Sequence, residues 1–464
     1  MAEKSTAIAE KFSGKAAQVC IMPECGGFFG LNERIYVCPK CGGPLEIECR
    51  APEGLLASAL QARWDARAVS HDPRDKSGVW RYRELLPFEE PAACVTLFEG
   101  NTPLYEAPRS AQYAGLSALR LKHQGCNPTG SFKDTGMTVA VTQAVALGAK
   151  TVVCASTGNT AASLAAYAAR AGLQAAILLP RGQITASKLA QSMDYGAGVF
   201  ELDGNFDDCM RLIQELGSEP SIYVANSINP FRIEGQKTVA FELMTQSGWR
   251  VPDQVVVPGG NMGNSSALGK GFEEMLALGL IDRLPKLNII QAEGTAPLAT
   301  LFASLRDKNP EDAARLPESA LAAVAHPRTL ATAIKIGAPV SWRKSLRAVL
   351  RSGGQIISVS EQEIADAKAM IGRDGIGCEP ASATTLAGIR RLVASGHIRR
   401  DENVVAVLTG HVLKDPDYVT QYHRGMLALE TDGATVKIAG TFANMPLRVA
   451  ANRAALMDAL EKRR

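Results

Sequence analysis

Residues 254–264 read QVVVPGGNMGN, an unbroken apolar segment that runs into a glycine-rich turn. The segment after it, SSALGKGFEEMLALG (265–279), has the apolar spacing of a helix. A short apolar run without alternation is typical of a strand that is buried on both faces of a parallel sheet. A strand, a tight turn and a helix in this order therefore predict an α/β unit.

Other apolar runs repeat this pattern along the chain, and helical periodicity fills most of the intervals between them, as in TAASLAAYAARAG (160–172). These runs are TVVCAS (151–156), AAILLP (175–180), SIYVAN (221–226), LNIIQAEG (287–294), QIISVS (355–360) and NVVAVLTG (403–410). The predicted fold class is α/β, with parallel strands and helices on both faces. Ligands of such sheets bind at the carboxyl ends of the strands, which directs attention to residues 156–160, 259–264 and 408–411.

The composition is that of an ordinary soluble globular protein, with 46% hydrophobic and 21% charged residues in 464, which excludes a disordered chain. A net charge of +3 gives no reason to expect a nucleic-acid or membrane partner. The N-terminus, MAEKSTAIAEKFSGKAA, lacks the apolar core of a signal peptide, and no run reaches the roughly 18 apolar residues of a membrane span. A cytoplasmic location is therefore expected.

The sequence divides into segments of different character, and we predict a domain organisation from them. The segments are a cysteine-rich module at 1–50, a connecting segment at 51–94, an N-terminal catalytic part at 95–250, a C-terminal catalytic part at 251–430 and a tail at 431–464 with a short strand and a helix.

The glycine-rich turn predicts a phosphate-binding site. Glycines allow a backbone that aims several N–H groups at one point, and the N-terminus of the following helix favours an anion. A Walker A loop is excluded because five residues separate Gly263 from Gly269, and a glycine follows Lys270. A dinucleotide fingerprint is excluded because no acidic residue ends the next strand at the required distance. We predict a phosphate cup for a smaller cofactor; a turn without a ligand is the alternative. The cup residues are Gly260, Asn261, Met262, Gly263 and Asn264.

A lysine at the start of an apolar helix gives this cup a chemical partner. Lys133 follows Asn127-Pro128-Thr129-Gly130-Ser131-Phe132. Taken alone, such a residue is usually a solvated surface lysine. A lysine amine also condenses with a carbonyl cofactor, and burial makes it a usable base. An amine paired with a phosphate cup points to pyridoxal 5′-phosphate, which has both an aldehyde and a phosphate.

At this point the chain resembles the threonine synthases, which are fold-type II pyridoxal-phosphate enzymes with two parallel-sheet lobes, over about residues 18–415. The resemblance rests on a series of short motifs in the same order. They are GNTPL (100–104), SFKD (131–134), STGNT (156–160), NPFR (229–232), GNMGN (260–264), AIKIG (333–337), CEPASA (378–383) and LTGH (408–411).

The resemblance implies roles for individual residues. Lys133 would hold the cofactor as an internal Schiff base and act as the general base. Asn159 would bond the cofactor's ring hydroxyl, and residues 260–264 would bind its phosphate. Thr409 would face the pyridine nitrogen, where a hydroxyl supports a pyridinium less than a carboxylate does, so a modest electron sink is expected.

The implied reaction converts O-phospho-L-homoserine and water to L-threonine and phosphate. Candidate contacts for the substrate phosphate are Lys122 and Arg232, with Ser156 and Thr157 as uncharged donors. Surface charge or helix capping is the alternative for each basic residue. Many relatives have an arginine where this chain has Thr135. Enzymes of this kind are often dimers, so a homodimer is an option that the sequence leaves open.

Four cysteines near the N-terminus predict a structural zinc site. Cys20 and Cys25 form one pair, and Cys38 and Cys41 form a second pair after twelve intervening residues. Four thiolates in two pairs suit tetrahedral zinc, and a module of this size does not build an adequate core by itself. We predict a zinc-ribbon-like module with no catalytic role; a metal-free remnant is the alternative.

Two other classes of function remain open at this point. The first is a sibling enzyme on the same scaffold, such as a cysteate synthase or a threonine/serine dehydratase; the residues around Lys133 and Asn159 favour the synthase over the dehydratases. The second is a catalytically silent protein that uses the cysteine-rich module to bind a partner. The intact lysine, the cup and Thr409 argue against it.

Overall fold

Two separate sheets, each covered by helices, organise most of the chain. The computed structural model describes residues 14–50, 54, 56–89, 93–156, 158–182, 186–305, 309, 312 and 315–462. One sheet has six strands in the order β12-β11-β10-β13-β5-β4, and the other has four in the order β8-β7-β6-β9. The strands are β1 (Ala16–Cys20), β2 (Phe28–Phe29), β3 (Leu45–Cys49), β4 (Leu104–Glu106), β5 (Arg120–His123), β6 (Thr151–Ala155), β7 (Gln174–Pro180), β8 (Gly198–Leu202), β9 (Ile222–Val224), β10 (Gln254–Pro258), β11 (Lys286–Ala292), β12 (Ile356–Val359), β13 (Val404–Leu408), β14 (Ala428–Thr431) and β15 (Ala434–Lys437).

The α-helices lie mostly between the strands. They are α1 (Ala57–Ala68), α2 (Pro73–Lys76), α3 (Pro108–Ala114), α4 (Lys133–Ala146), α5 (Asn159–Ala171), α6 (Ala186–Asp194), α7 (Phe206–Leu216), α8 (Pro230–Gln246), α9 (Gly263–Ala277), α10 (Pro297–Ala303), α11 (Trp342–Ser352), α12 (Glu361–Arg373), α13 (Pro380–Ala394), α14 (Pro416–His423) and α15 (Arg453–Glu461). Within the described residues, no helix combines the length and hydropathy that crossing a bilayer requires.

The strand pattern confirms the predicted α/β class. Every apolar run singled out in the sequence contains a strand, and β10 is buried along its whole length between parallel neighbours β11 and β13. Unbroken apolar character was the right signal because helices cover both faces of the sheet. The helix expected at 265–279 begins two residues earlier, at Gly263, inside the glycine-rich turn.

Residue 250, the boundary between the predicted catalytic parts, lies between β9 of the four-stranded sheet and β10 of the six-stranded sheet, but the chain also crosses between the sheets earlier, after β5. Strand β5 precedes the four-stranded sheet in sequence, yet it pairs in parallel with β13 in the six-stranded sheet. Strand β4 joins the same sheet antiparallel to β5. The chain thus begins in the six-stranded lobe, forms the four-stranded lobe with β6–β9, and then completes the six-stranded lobe with β10–β13. Sequence periodicity did not indicate β5 because three of its four residues, RLKH, are basic.

The two ends of the catalytic region carry small additions. Strands β1, β2 and β3 form an antiparallel sheet in the cysteine-rich module. In the tail, β14 and β15 form an antiparallel hairpin, and α15 follows. Residues 1–13 of the predicted module and residues 463–464 of the tail lie outside the described part of the chain.

Candidate active site

Lys133 is the first residue of α4 and lies where the two lobes meet. The backbone just before it is tied to the end of β13: Phe132 N donates to Thr409 O at 2.9 Å, and Ser131 forms a bridge with Gly410. Helix α4 itself packs on the four-stranded sheet, where Met137 shares a core with strand residues. The carboxyl end of one sheet and the covering helix of the other therefore converge on this lysine.

Asp134 fixes the turn that presents Lys133. Its buried carboxylate accepts from Thr129 N at 2.7 Å, from Thr129 Oγ1 at 2.6 Å and from Ser163 Oγ at 2.6 Å. Burial raises its pKa to about 6, against the effect of these hydrogen bonds. Asp134 therefore clamps the start of α4 to the preceding turn and to α5, a role that sequence reasoning had not assigned.

The surroundings of Lys133 favour its neutral amine. Burial and, to a smaller extent, the nearby Arg232 guanidinium lower its pKa to about 7, while the Glu379 carboxylate acts in the opposite direction. Its ammonium also lies 4.2 Å from the centre of the Phe132 ring. A free amine is the form that attacks a carbonyl carbon or accepts a proton. Near neutral pH a substantial fraction of Lys133 is therefore in that form.

Arg232 supplies a buried cation beside this amine. Helix α8 begins at Pro230, and Asn229 caps it by accepting from Phe231 N at 3.0 Å, which places Arg232 in the first turn. Its side chain is 2% exposed, and Nη1 donates to Ala225 O at 3.1 Å. Nε has no hydrogen-bond partner among the described residues. Burial lowers the pKa of Arg232 to about 10, so it remains a cation suited to an anionic ligand.

The glycine-rich turn, proposed as a phosphate cup, lies between β10 and α9. Met262 adopts the left-handed region, with φ of +63°, directly before Gly263 begins the helix. This conformation is energetically unfavourable for a non-glycine residue, and such strain is found mostly at functional sites. Asn261 holds the turn with its side chain, because Oδ1 accepts from Val340 N at 2.7 Å. The first N–H groups of α9 have no acceptor within the helix and are available to an anion.

Buried polar atoms without a hydrogen-bond partner among the described residues lie around the cup. Gln124 Nε2, Gln236 Oε1 and Asn264 Oδ1 are buried and have no hydrogen-bond partner in the described part of the chain. Asn264 and Gln124 contact each other through their other polar atoms at 3.4 Å. Because native buried polar groups are nearly always paired, this concentration fits a bound polar ligand, to which Gln124 Nε2 would donate and from which the two amide oxygens would accept.

Asn159 and Thr409, predicted to contact the cofactor ring, are brought together by a residue to which no role had been assigned. Asn159 Nδ2 donates to Glu379 Oε2 at 2.9 Å, and Thr409 Oγ1 donates to Glu379 Oε1 at 2.9 Å. Ser382 Oγ accepts from Thr409 N at 2.8 Å and lies 3.1 Å from Thr409 Oγ1. Glu379 and Ser382 both belong to the CEPASA motif at 378–383, but the motif gave no indication of where their side chains lie.

The other predicted substrate contacts have different outcomes. Lys122 does not face the site: its buried Nζ contacts the Glu242 carboxylate, Thr102 O at 2.6 Å and Gln246 Oε1 at 2.8 Å. Because an ammonium has three N–H donors, all are engaged, and we propose no phosphate contact for Lys122. Ser156 follows β6, and its Oγ accepts from Gly158 N at 3.3 Å. Thr157 lies outside the described residues.

The four cysteines of the N-terminal module converge on one point. Their Sγ atoms all lie within 4.8 Å of one another, and none of the four is in a disulfide. Cys20 Sγ is 3.5 Å from Cys41 Sγ, and Cys25 Sγ is 3.5 Å from Cys38 Sγ. Zinc–sulfur bonds of about 2.3 Å in a tetrahedron separate the sulfurs by about 3.8 Å. The donor set fits a zinc ion.

The cysteine-rich module contacts both lobes. Lys344 of α11 donates to Leu45 O at 2.5 Å, and Lys270 of α9 donates to Ile47 O. Both helices belong to the lobe with six strands. On the other lobe, Val224 N of β9 donates to Tyr36 Oη at 2.8 Å, and Gln143 of α4 donates to Leu31 O at 2.7 Å. The module therefore bridges the two lobes.

Comparisons with known proteins identify relatives over nearly the whole chain. Threonine synthase from Methanocaldococcus jannaschii is 45% identical over 421 residues, which cover 90% of this chain and 98% of the relative. Threonine synthase from Methanosarcina acetivorans is 46% identical over 398 residues, or 85% of this chain and 92% of the relative. These identities confirm the resemblance to threonine synthases drawn from the motifs.

Solved structures confirm the fold. The processed form of threonine deaminase isoform 2 from Solanum lycopersicum has a TM-score of 0.56 at 20% identity, covering 67% of this chain and 79% of its own. A fungal L-serine ammonia-lyase from Rhizomucor miehei has a TM-score of 0.58 at 18% identity, covering 71% and 99%. The profile of the pyridoxal-phosphate dependent enzymes matches residues 95–410. The chain belongs to this family of pyridoxal-phosphate dependent enzymes.

Proposed function

We propose that this protein converts O-phospho-L-homoserine and water to L-threonine and phosphate, with pyridoxal 5′-phosphate as its cofactor. The observation that carries the proposal is the buried Arg232 guanidinium, with an unsatisfied Nε, beside the amine of Lys133. The cup at 260–264 accounts for the cofactor's phosphate, so a second anion site at the same amine suits a phosphorylated substrate. The names of the relatives, threonine synthases at 45–46% identity, support the same reaction.

Residues from both lobes would hold the cofactor. Lys133 would bind its aldehyde carbon, the N–H groups of residues 260–264 its phosphate, Asn159 its ring hydroxyl and Thr409 its ring nitrogen. When bound, the cofactor supplies an electron sink for the negative charge that develops on the substrate carbons. The unsatisfied Gln124 Nε2 is a further donor at this place.

Lys133 and Arg232 divide the remaining work. Once the substrate amine has taken the place of Lys133, its Nζ would be free to remove one proton from the substrate α-carbon and then one from the adjacent β-carbon. Arg232 would orient the substrate phosphate and stabilise it as it leaves from the γ-carbon. Ser156, at the carboxyl end of β6, and Thr157 are proposed as uncharged donors to the same phosphate. Water would then add its hydroxyl at the β-carbon, while one proton is delivered to the γ-carbon and one returns to the α-carbon, which accounts for the two that Lys133 removed. The released phosphate takes up the remaining proton of the water.

The test is a direct product assay. We expect the purified protein, loaded with pyridoxal 5′-phosphate, to be yellow and to release phosphate and L-threonine in equal amounts from O-phospho-L-homoserine. Rapid deamination of serine or threonine, without threonine formation from the phosphorylated substrate, would establish the dehydratase instead. Formation of cysteate from O-phosphoserine and sulfite would establish a cysteate synthase. A colourless protein that binds no cofactor would leave only the catalytically silent alternative.

We also propose that Cys20, Cys25, Cys38 and Cys41 hold one structural zinc ion. Metal analysis of the purified protein should give about one equivalent of zinc, and the double variant Cys38→Ser/Cys41→Ser should contain none. Because zinc binding determines whether such small modules fold, at about 10–16 kcal/mol, the double variant should lose the order of β1–β3. Its thermal midpoint should fall because the module contacts both lobes.

Cys94→Ser provides the matched control for the zinc experiment, because Cys94 is a free cysteine outside the cluster. This variant should keep its zinc and its thermal midpoint. A wild-type protein without zinc, or a double variant that still binds one equivalent, would contradict the proposed site.

A further inference from the structure

Glu379 is a buried acid that does not cap the helix it precedes. It is the N-cap residue of α13, whose first residue is Pro380, yet its side chain makes no capping hydrogen bond. The residue is 1% exposed. Its carboxylate turns toward the place where the lobes meet and bonds one residue from each: Asn159 at the start of α5 and Thr409 at the end of β13.

The carboxylate lies against the backbone of Gly410. A Cβ atom on Gly410 would overlap with the Glu379 carboxyl group, so a side chain at this position would require that group to move. Glu379 N also donates to Gly410 O at 3.0 Å, which fixes the two segments together. This backbone contact and the hydrogen bonds to Asn159 and Thr409 hold the carboxylate in place.

The hydrogen bonds determine which way the Thr409 hydroxyl points. A hydroxyl has one proton, and Thr409 donates it to Glu379 Oε1. Ser382 Oγ, which already accepts from Thr409 N and Gly410 N, is placed to donate its own proton to Thr409 Oγ1 at 3.1 Å. In this chain of bonds, Thr409 is left with a lone pair and no proton for a further partner.

We propose that Glu379 is a positioning residue for the cofactor, which holds Asn159 and Thr409 at the ring edge and makes the Thr409 oxygen a hydrogen-bond acceptor. This inference rests on the proposed function, in which Thr409 faces the ring nitrogen. An acceptor backed by a carboxylate favours a protonated ring nitrogen, whereas an isolated threonine does not. The expectation of a modest electron sink, which considered Thr409 alone, is replaced by that of a stronger one.

Several groups of the site act on the charge of Glu379. Burial raises the pKa of its carboxyl group, and the Asp415 charge acts in the same direction. The hydrogen bonds from Asn159 and Thr409 and the charge of Lys133 act to lower that pKa and offset part of the cost of burial. Asn159 has a second N–H beyond the one that it gives to Glu379, and this donor remains for the cofactor's ring hydroxyl.

The test compares Glu379→Gln with the wild type and with Glu402→Gln, all loaded with pyridoxal 5′-phosphate. Glutamine keeps the size of the side chain and removes its charge. Glu402 is a matched control because it is a buried acid, 6% exposed, which accepts from Gln254 Nε2 at 2.8 Å near the opposite end of β13. The readouts are the visible absorption spectrum of the bound cofactor, its dissociation constant, and circular dichroism to verify folding.

We expect Glu379→Gln to fold, to shift the absorption spectrum and to raise the cofactor's dissociation constant about tenfold, while Glu402→Gln leaves spectrum and affinity unchanged. In the Thr409→Val background, Glu379→Gln should cause a smaller spectral shift than in the native chain, because only the bond to Asn159 remains to be weakened. If Glu379→Gln does not fold, Thr409→Val in the native chain removes the same bond from the other side and should shift the spectrum.

Two results would overturn the inference. An unchanged spectrum and affinity in Glu379→Gln would show that the acid only stabilises the fold, and so would a spectrum unaffected by Thr409→Val. In either case the proposed function stands if the wild-type protein still forms threonine. A wild-type protein that binds no pyridoxal 5′-phosphate would instead refute the proposed function and this inference together.

Discussion

Replacing Lys133 with alanine is expected to abolish threonine formation, with a loss of turnover of about 10⁴-fold or more. The same amine would bind the cofactor and move protons at two adjacent substrate carbons, so no neighbouring group can replace it. The pKa of about 7 that burial and Arg232 give it distinguishes Lys133 from an ordinary surface lysine. The measurement is phosphate release from O-phospho-L-homoserine, together with the visible absorption of the purified protein, which should lose its yellow colour.

A surface lysine provides the control for this experiment. Lys150 is exposed just before β6, and Lys150→Ala should keep both colour and turnover. Circular dichroism of Lys133→Ala should match the wild type, because the first turn of α4 is held by Asp134 and not by the lysine. A Lys133→Ala protein that retains turnover within tenfold of the wild type would contradict the assignment of the catalytic amine.

Arg232→Met is expected to lower kcat/KM for O-phospho-L-homoserine by about 10²–10³-fold. The guanidinium is the buried cation proposed to meet the substrate phosphate, and methionine fills similar space without charge. Arg232→Lys serves as the matched variant: it keeps the charge but loses the forked donors, and should recover only part of the loss. Unchanged kcat/KM in Arg232→Met would place the phosphate contact elsewhere.

The same variant also changes the behaviour of Lys133 with pH. The Arg232 cation disfavours a second positive charge nearby and so lowers the pKa of Lys133. Removing it should raise that pKa above about 7, which leaves less free amine at neutral pH. Uptake of pyridoxal 5′-phosphate by the cofactor-free protein should then be slower near pH 7 and recover at higher pH. Arg232→Lys, which keeps the charge, should show a smaller shift.

Much of the fold was predictable because its signals are local. Strands such as β10 and β13 are buried on both faces, so their apolar character is continuous in the sequence. Strand β5 gave no such signal because most of its residues are basic. Its place in the sheet depends on a parallel pairing with β13, which lies far along the chain. The chain therefore crosses from one sheet to the other between β5 and β6, and no local property of the sequence indicated this crossing.

The candidate site was predictable to the extent that its residues stand in recognisable turns. Lys133 and residues 260–264 stand at the starts of α4 and α9, as the helical patterns that follow them in the sequence indicate. Lys122 shows the opposite case. Its residue type suited a phosphate, but its partner Glu242 is 120 residues away, and that pairing engages the charge in the core.

The sequence by itself determined the fold class, the pyridoxal-phosphate chemistry and the cysteine cluster, because each depends on residue types within short stretches of the chain. Tertiary structure decided which charges face the site. Asn159 and Glu379 are 220 residues apart, and their bond exists because β13 and α13 of one lobe meet α5 of the other. A hydrogen bond between distant segments depends on how the lobes pack, and no local pattern of residues encodes that packing.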